Sequence, residues 1–136
     1  MSKNLTSVVL RELEERARTA AHQAYAPYSR FTVGAAVLCA DGKIFSGSNV
    51  ENASTGLTIC AERAAVFAAV GAGARQLEAI VIYTPTPQPT APCGACRQVL
   101  LEFGPDLTII SICASEERRR YQLSDLLPHS FGPENL

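Results

Sequence analysis

The segment from Leu77 to Tyr83, LEAIVIY, decides the fold class of this chain. All of its residues except Glu78 are apolar, which is typical of a strand buried on both faces of a sheet. An alanine-rich stretch from Cys60 to Val70 predicts a helix before this strand, and Ala95 to Phe103 predicts another after it. Because parallel strands are joined by crossover helices, this order predicts an α/β fold.

The remaining predicted elements extend this pattern toward both ends of the chain. They are a helix from Leu5 to Ala26, strands from Phe31 to Ala40, Lys43 to Val50 and Leu107 to Cys113, a short last strand from Tyr121 to Leu123, and a helical turn from Ser124 to Leu127. The Asp41-Gly42 pair between the first two strands is a strong hairpin signal. We expect a single domain over residues 1–136, with a mixed five-stranded sheet in a three-layer α/β/α arrangement.

Charge and cysteine usage exclude several classes of function. The formal net charge is −1, and the basic cluster Arg118–Arg120 directly follows two glutamates, so we expect a solvated turn there and no nucleic-acid partner. Charges interrupt the first apolar run, which argues against a signal peptide or membrane span and predicts a cytoplasmic protein. An odd number of cysteines, five, favours metal binding or catalysis over a disulfide framework.

Three of the cysteines have spacing that suggests a metal site. Cys93-Gly94-Ala95-Cys96 opens a predicted helix, and alone it fits either a redox pair or half of a metal site. Cys60 opens the preceding predicted helix, and both helices follow loops at strand ends, where α/β folds bind ligands. A helix N-terminus lowers the pKa of a thiol and favours the thiolate, the form that binds zinc.

Three protein ligands leave a fourth tetrahedral position for water, as in a catalytic zinc site. A structural zinc domain with an unnoticed fourth ligand is the alternative. Cys39 and Cys113 lie in apolar strand contexts and are expected to be core residues. Glu62 lies two residues after Cys60, about 200° around a helix, so the two side chains can share a site only at the open helix end. There Glu62 would move a proton, although an acidic residue in a first helical turn also suits the helix dipole.

Several segments, in order, resemble the small homotetrameric cytidine deaminases of the three-cysteine zinc type. They are PYSRFTVGAA (27–36), NVENA (49–53), CAER (60–63), PCGACRQ (92–98) and SFGP (130–133). The H-x-E…P-C-x-x-C signature of zinc deaminases is the related general pattern. The likeness spans nearly the whole chain. It implies hydrolytic deamination of cytidine or 2′-deoxycytidine, one Zn²⁺ per chain, a role in pyrimidine salvage and a homotetramer with shared active sites.

The resemblance also implies roles for individual residues. Cys60, Cys93 and Cys96 would bind zinc, Glu62 would carry protons, and Arg63 would donate to the thiolate sulfurs. The remaining implied contacts are with substrate: Phe31 lies against the base, Asn49 and Glu51 hold the ribose 3′-hydroxyl, Ala61 offers its backbone N–H to the base, and Phe131 of a neighbouring subunit covers the pocket. From the residues alone, Phe31 would be a core residue, and Asn49 and Glu51 would flank an ordinary loop.

One position departs from the pattern that the resemblance implies. Thr55 stands where the family usually has a tyrosine, which removes a large planar surface. We expect a roomier pocket that accepts bulkier cytidine analogues, unless a neighbouring side chain fills the gap. Deamination of a modified cytosine nucleoside, N4-substituted or of antibiotic type, is therefore the closest alternative activity. A deaminase of polynucleotides is a more distant one.

Overall fold

The computed structural model describes residues 4–136, which form four α-helices and five β-strands. The helices are α1 (Ser7–His22), α2 (Ala61–Gly71), α3 (Gly94–Phe103) and α4 (Leu123–Leu126). The strands are β1 (Gly34–Cys39), β2 (Ile44–Ser48), β3 (Leu77–Tyr83), β4 (Thr108–Ile112) and β5 (Arg118–Gln122). Within these residues no helix is both long and apolar enough to cross a membrane.

The strands form a mixed sheet in the order β2-β1-β3-β4-β5. Strands β3 and β4 pair in parallel, whereas β1 pairs antiparallel with both β2 and β3. It follows that β2, β3 and β4 all run in the same direction. The prediction of a mixed five-stranded sheet is confirmed.

Helices cover both faces of this sheet, which confirms the three-layer architecture. On one face, α1 buries Leu13 and Ala17 against Leu38 and Val81. On the other face, α2 and α3 pack over residues such as Ile80. Alternate side chains of a strand point to opposite faces, so the central strands need apolar residues at every position.

The predicted hairpin between β1 and β2 is present. Its turn contains Asp41 and Gly42, and Gly42 adopts φ +90°, a conformation that L side chains rarely adopt. Leu38 pairs with Ile44 across the hairpin. β1 is shorter than the predicted strand because it begins only at Gly34.

The prediction of a solvated turn at Arg118–Arg120 was wrong. These residues form most of β5, which pairs antiparallel with β4 and lies at the sheet edge. An edge strand tolerates exposed charge, which also discourages pairing with other chains. In addition, the Arg118 guanidinium donates two hydrogen bonds to the buried Glu14 carboxylate of α1, at 2.5 and 2.7 Å.

Candidate active site and metal centre

The N-termini of α2 and α3 meet because of the sheet topology. Strands β2 and β3 run in the same direction, and each is followed along the chain by one of these helices. Both helices therefore begin on the same side of the sheet, beyond the carboxyl ends of β2 and β3. Cys60 is the N-cap residue of α2, and Cys93 is the N-cap residue of α3. Because Cys60 precedes the first helical residue, its side chain can share a site with Glu62.

The three thiols predicted to bind metal come together at this junction. The sulfur atoms of Cys60, Cys93 and Cys96 all lie within 4.8 Å of one another. The Cys60 and Cys93 sulfurs are 3.9 Å apart, close to the separation of about 3.8 Å that Zn–S bonds of about 2.3 Å give in a tetrahedron. Among residues 4–136, no further His, Cys, Asp or Glu joins this cluster. The arrangement fits one zinc ion per chain with a fourth coordination position left free.

The hydrogen bonds within the cluster favour the thiolate form of Cys60. The pKa of Cys60 falls to about 5, mainly because the Cys96 thiol donates a hydrogen bond to it, with help from Arg63. As the donor in that pair, the buried Cys96 has a raised pKa. The Arg63 guanidinium lies 3.3 Å from the Cys60 sulfur. Its Nε atom is buried and has no hydrogen-bond partner among residues 4–136. A cation directed at the sulfurs offsets the negative charge of three thiolates.

A cavity of about 200 Å³ opens directly beside the thiol cluster. It is lined by Phe31, Val33, Asn49, Thr58, Ile59, Cys60, Ala61, Glu62, Ile82, Thr84, Thr90, Ala91 and Cys93. Mostly apolar walls with a few polar groups are typical of small-molecule sites. A larger groove of about 650 Å³ between α1 and β2 contains none of the thiols, so the smaller cavity is the candidate active site.

Glu62 is the one acidic residue among those that line this cavity. Its side chain lies in the first turn of α2 and is only 6% exposed. Burial, more than any other cause, raises the pKa of its carboxyl group, and the neighbouring Cys60 thiolate raises it further. A raised pKa makes the carboxyl group more basic, which suits a group that accepts a proton and then passes it on.

Asn49 holds the cavity wall that contains Phe31. The Asn49 side chain accepts a hydrogen bond from the Val33 N–H at 2.8 Å and donates one to the Phe31 carbonyl at 2.7 Å. Asn49 is buried, and each half of its amide keeps one further hydrogen-bonding position. This clamp explains why residues 31–33 line a pocket instead of extending β1.

The other predicted site residues lie outside the cavity lining. Glu51 comes directly after Val50, which bridges to Ile59 and so closes the loop that leads to Cys60. Phe131 is 61% exposed, and its carbonyl accepts a hydrogen bond from Gln98. Within one chain, Phe131 therefore covers nothing in the cavity.

Three threonines in the cavity wall, Thr58, Thr84 and Thr90, were not predicted from the sequence. The buried Thr84 hydroxyl lies 2.8 Å from the Thr86 hydroxyl and 3.2 Å from the Thr90 hydroxyl. These contacts tie the proline-rich loop that precedes Cys93 to the end of β3. Thr84 directly follows a buried strand, and that position was the available signal, because α/β folds bind ligands at strand ends.

The family model for the cytidine and deoxycytidylate deaminase zinc-binding region matches residues 9–112. The chain belongs to this family. Cytidine deaminases are also among its most similar relatives. The protein from Halalkalibacterium halodurans is 46% identical over 83% of this chain and 86% of the relative. The protein from Mycobacterium tuberculosis is 46% identical over 91% of this chain and 90% of the relative.

Solved structures of the family share the fold. The crystal structure of cytidine deaminase from Burkholderia pseudomallei aligns with a TM-score of 0.87 and 48% identity, covering 93% of this chain and all of that chain. The cytidine deaminase from Mycobacterium tuberculosis aligns with a TM-score of 0.79 and 45% identity, covering 90% of this chain and 97% of that chain. The resemblance found in the sequence is confirmed.

Proposed function

We propose that the chain catalyses zinc-dependent hydrolytic deamination of cytidine and 2′-deoxycytidine, giving the uridine nucleosides and ammonia. Family membership and the cytidine deaminases among its relatives support this activity. The observation that carries the mechanism is the position of Glu62, a buried carboxyl group in the same cavity as Cys60 and Cys93. That position places a proton carrier beside a metal site with a free coordination position.

The residues in and around the thiol cluster have distinct tasks. Cys60, Cys93 and Cys96 hold the zinc ion, which when bound supplies the Lewis acidity that makes water nucleophilic near neutral pH. Glu62 accepts the proton that the water loses and delivers it to N3 of the pyrimidine, which makes C4 electrophilic. Glu62 then takes the proton of the hydroxyl group formed at C4 and passes it to the amino group, which leaves as ammonia as the C4 carbonyl forms. Arg63 stabilises the thiolates from behind the cluster.

The nucleoside binds in the cavity, and Glu51 contacts its sugar from outside the cavity lining. Phe31 packs against the pyrimidine, and the backbone N–H of Ala61 contacts the base. Asn49 and Glu51 bind the ribose 3′-hydroxyl. The spare donor and acceptor of the Asn49 amide support this assignment.

We further propose a homotetramer, in which Phe131 of a neighbouring subunit covers each pocket. Leu57, Phe67 and Phe131 are all at least half exposed in the single chain, and exposed apolar residues favour contact with another copy. Sedimentation should therefore detect the tetramer, and a fully active monomer would contradict shared sites. A single domain over residues 1–136, a cytoplasmic location and a role in pyrimidine salvage remain predictions.

None of the three alternative functions has comparable support, and the relatives are named as cytidine deaminases, not as deaminases of modified nucleosides. A structural zinc domain needs a closed coordination sphere, whereas no fourth protein ligand joins the cluster within residues 4–136. A polynucleotide substrate needs a basic track, whereas Arg118 and Arg119 each pair with a glutamate. We therefore expect no nucleic-acid partner.

Glu62→Gln tests the proposed mechanism. The variant keeps the size and burial of the side chain, so it should retain zinc and bind cytidine. Its kcat should fall at least ~10²–10⁴-fold, because Glu62 takes part in more than one proton transfer. The measurement is the ultraviolet change with cytidine, deoxycytidine, cytosine and a short cytosine oligonucleotide. Native turnover in the zinc-loaded variant would exclude Glu62 as the proton carrier.

A further inference from the structure

A tight turn surrounds the Glu51 carboxylate and supplies three hydrogen bonds to it. The Oε1 atom accepts from the backbone N–H groups of Tyr28 and Ser29, at 2.9 and 3.1 Å. The Oε2 atom accepts from the Ser29 hydroxyl. This turn and Glu51 are 22 residues apart in the sequence, so the carboxylate fastens two separate segments together.

The Ser29 hydroxyl also contacts the segment that lines the active-site cavity. Its oxygen accepts a hydrogen bond from the Phe31 N–H at 3.0 Å, and its O–H group donates a hydrogen bond to Glu51. The Phe31 carbonyl in turn accepts from the Asn49 side chain. Hydrogen bonds thus connect Glu51, Phe31 and Asn49, the residues proposed to bind sugar and base, and Ser29 is the link between the first two.

Counting acceptor positions shows what Ser29 controls. An ionised carboxylate offers about four acceptor positions, and the turn occupies three of them. The position left free is on Oε2, the oxygen that Ser29 contacts. The same hydrogen bonds lower the pKa of Glu51, with the Ser29 hydroxyl as the largest cause. The carboxylate therefore stays ionised and can accept a hydrogen bond from a substrate hydroxyl.

We propose that Ser29 is a positioning residue for substrate binding. It directs the free acceptor position of Glu51 toward the sugar 3′-hydroxyl, and it fixes the position of Phe31 relative to Glu51. Ser29 itself does not touch the substrate in this proposal. The inference rests on the proposed role of Glu51 as a ligand of the 3′-hydroxyl. It predicts an effect of Ser29 that depends on which sugar the substrate carries.

Kinetics of the zinc-loaded enzyme with cytidine and 3′-deoxycytidine test this proposal. Ser29→Ala should raise KM for cytidine roughly 10-fold, as expected for loss of one charge-assisted hydrogen bond in an exposed turn. Its kcat should change less than about 3-fold, because Glu62 and the thiols are untouched. With 3′-deoxycytidine the rise in KM should be clearly smaller, because only the contact of Ser29 with Phe31 then affects binding. Ser29→Thr keeps the hydroxyl and should restore the native KM for cytidine.

Ser29→Cys keeps the side-chain size with a weaker donor and should give an intermediate KM, so it serves if the alanine variant does not fold. An equal rise in KM for both substrates would show that Ser29 only supports the turn and would overturn the proposal. Glu51→Gln separates the two levels of inference. If Glu51→Gln raises KM more for cytidine than for 3′-deoxycytidine and Ser29→Ala does not, only the proposed role of Ser29 fails. If Glu51→Gln does not discriminate, the role of Glu51 fails, and the role of Ser29 fails with it.

Discussion

Gly47→Ala should displace the helix that carries the catalytic end of the site. Gly47 lies in β2, directly under α2. A Cβ atom at this position would lie 2.4 Å from the Ala65 backbone nitrogen and 2.8 Å from the Ala61 carbonyl oxygen. Ordinary van der Waals contact begins at 3.4 Å, so the shortfall is about 1 Å. The obstructing atoms are backbone, and therefore α2 as a whole must move.

The structure sets the size of the expected loss of stability and of the expected loss of activity. Overpacking costs ~1–3 kcal/mol, and backbone neighbours place Gly47→Ala near the upper limit. For a chain of this length, such a loss lowers Tm on the order of 10 °C. Since α2 begins beside Cys60 and carries Glu62, a displacement of about 1 Å should also lower kcat/KM roughly 100-fold.

Thermal unfolding, zinc content and cytidine kinetics measure these effects, and Gly71→Ala is the matched control. Gly71 ends the same helix, and a Cβ atom there would meet nothing within 4 Å. The control should leave activity unchanged and raise stability by up to about 1 kcal/mol, through helix propensity. If Gly47→Ala kept both its Tm and its kcat/KM within the range of Gly71→Ala, the close approach of β2 and α2 would not constrain the site.

Three further predictions address other parts of the molecule. Gly34→Ala should lower Tm at least as much as Gly47→Ala, since its Cβ atom would meet the Ala17 carbonyl oxygen of α1 at 1.8 Å, yet the folded fraction should keep zinc, as measured by metal analysis. Cys93→Ala should lose zinc, because each thiolate is one of three anchoring bonds, whereas Cys113→Ala should retain it. Equal losses in elemental analysis would contradict this ligand assignment. Thr55 is exposed and lies outside the cavity lining of the single chain, so its effect on the pocket requires the proposed homotetramer. In that assembly Thr55→Tyr should lower kcat/KM for N4-acylated and 5′-substituted cytidines relative to cytidine. An unchanged ratio would show that Thr55 is a silent replacement.

The fold class was predictable because its signals are local and strong. LEAIVIY predicted a strand, and β3 has the bounds Leu77–Tyr83. The Asp41-Gly42 turn and the C-x-x-C helix start are likewise encoded within a few residues. The convergence of the thiols was also predictable, since cysteines that cap two helices at one sheet edge must lie close together.

The edge strand β5 was not predictable in the same way. Its sequence, RRRYQ, lacks the alternation that indicates a half-buried strand. The ion pair between Arg118 and Glu14 joins residues 104 positions apart. Such a contact exists only after the sheet has brought β5 beside α1.

The cavity wall formed by residues 31–33 shows why the role of a polar side chain is harder to predict from the sequence than that of a metal-binding motif. Asn49 and Ser29 are residues that commonly hydrogen-bond to nearby backbone in turns, and nothing local indicates which backbone they will contact. In the folded chain Asn49 takes its partners from residues 31–33, and Ser29 connects Phe31 with Glu51. The segment proposed to contact the base therefore owes its position to two polar side chains instead of to the β-ladder. Substitutions there can change substrate preference while the sheet and the zinc ligands keep their positions.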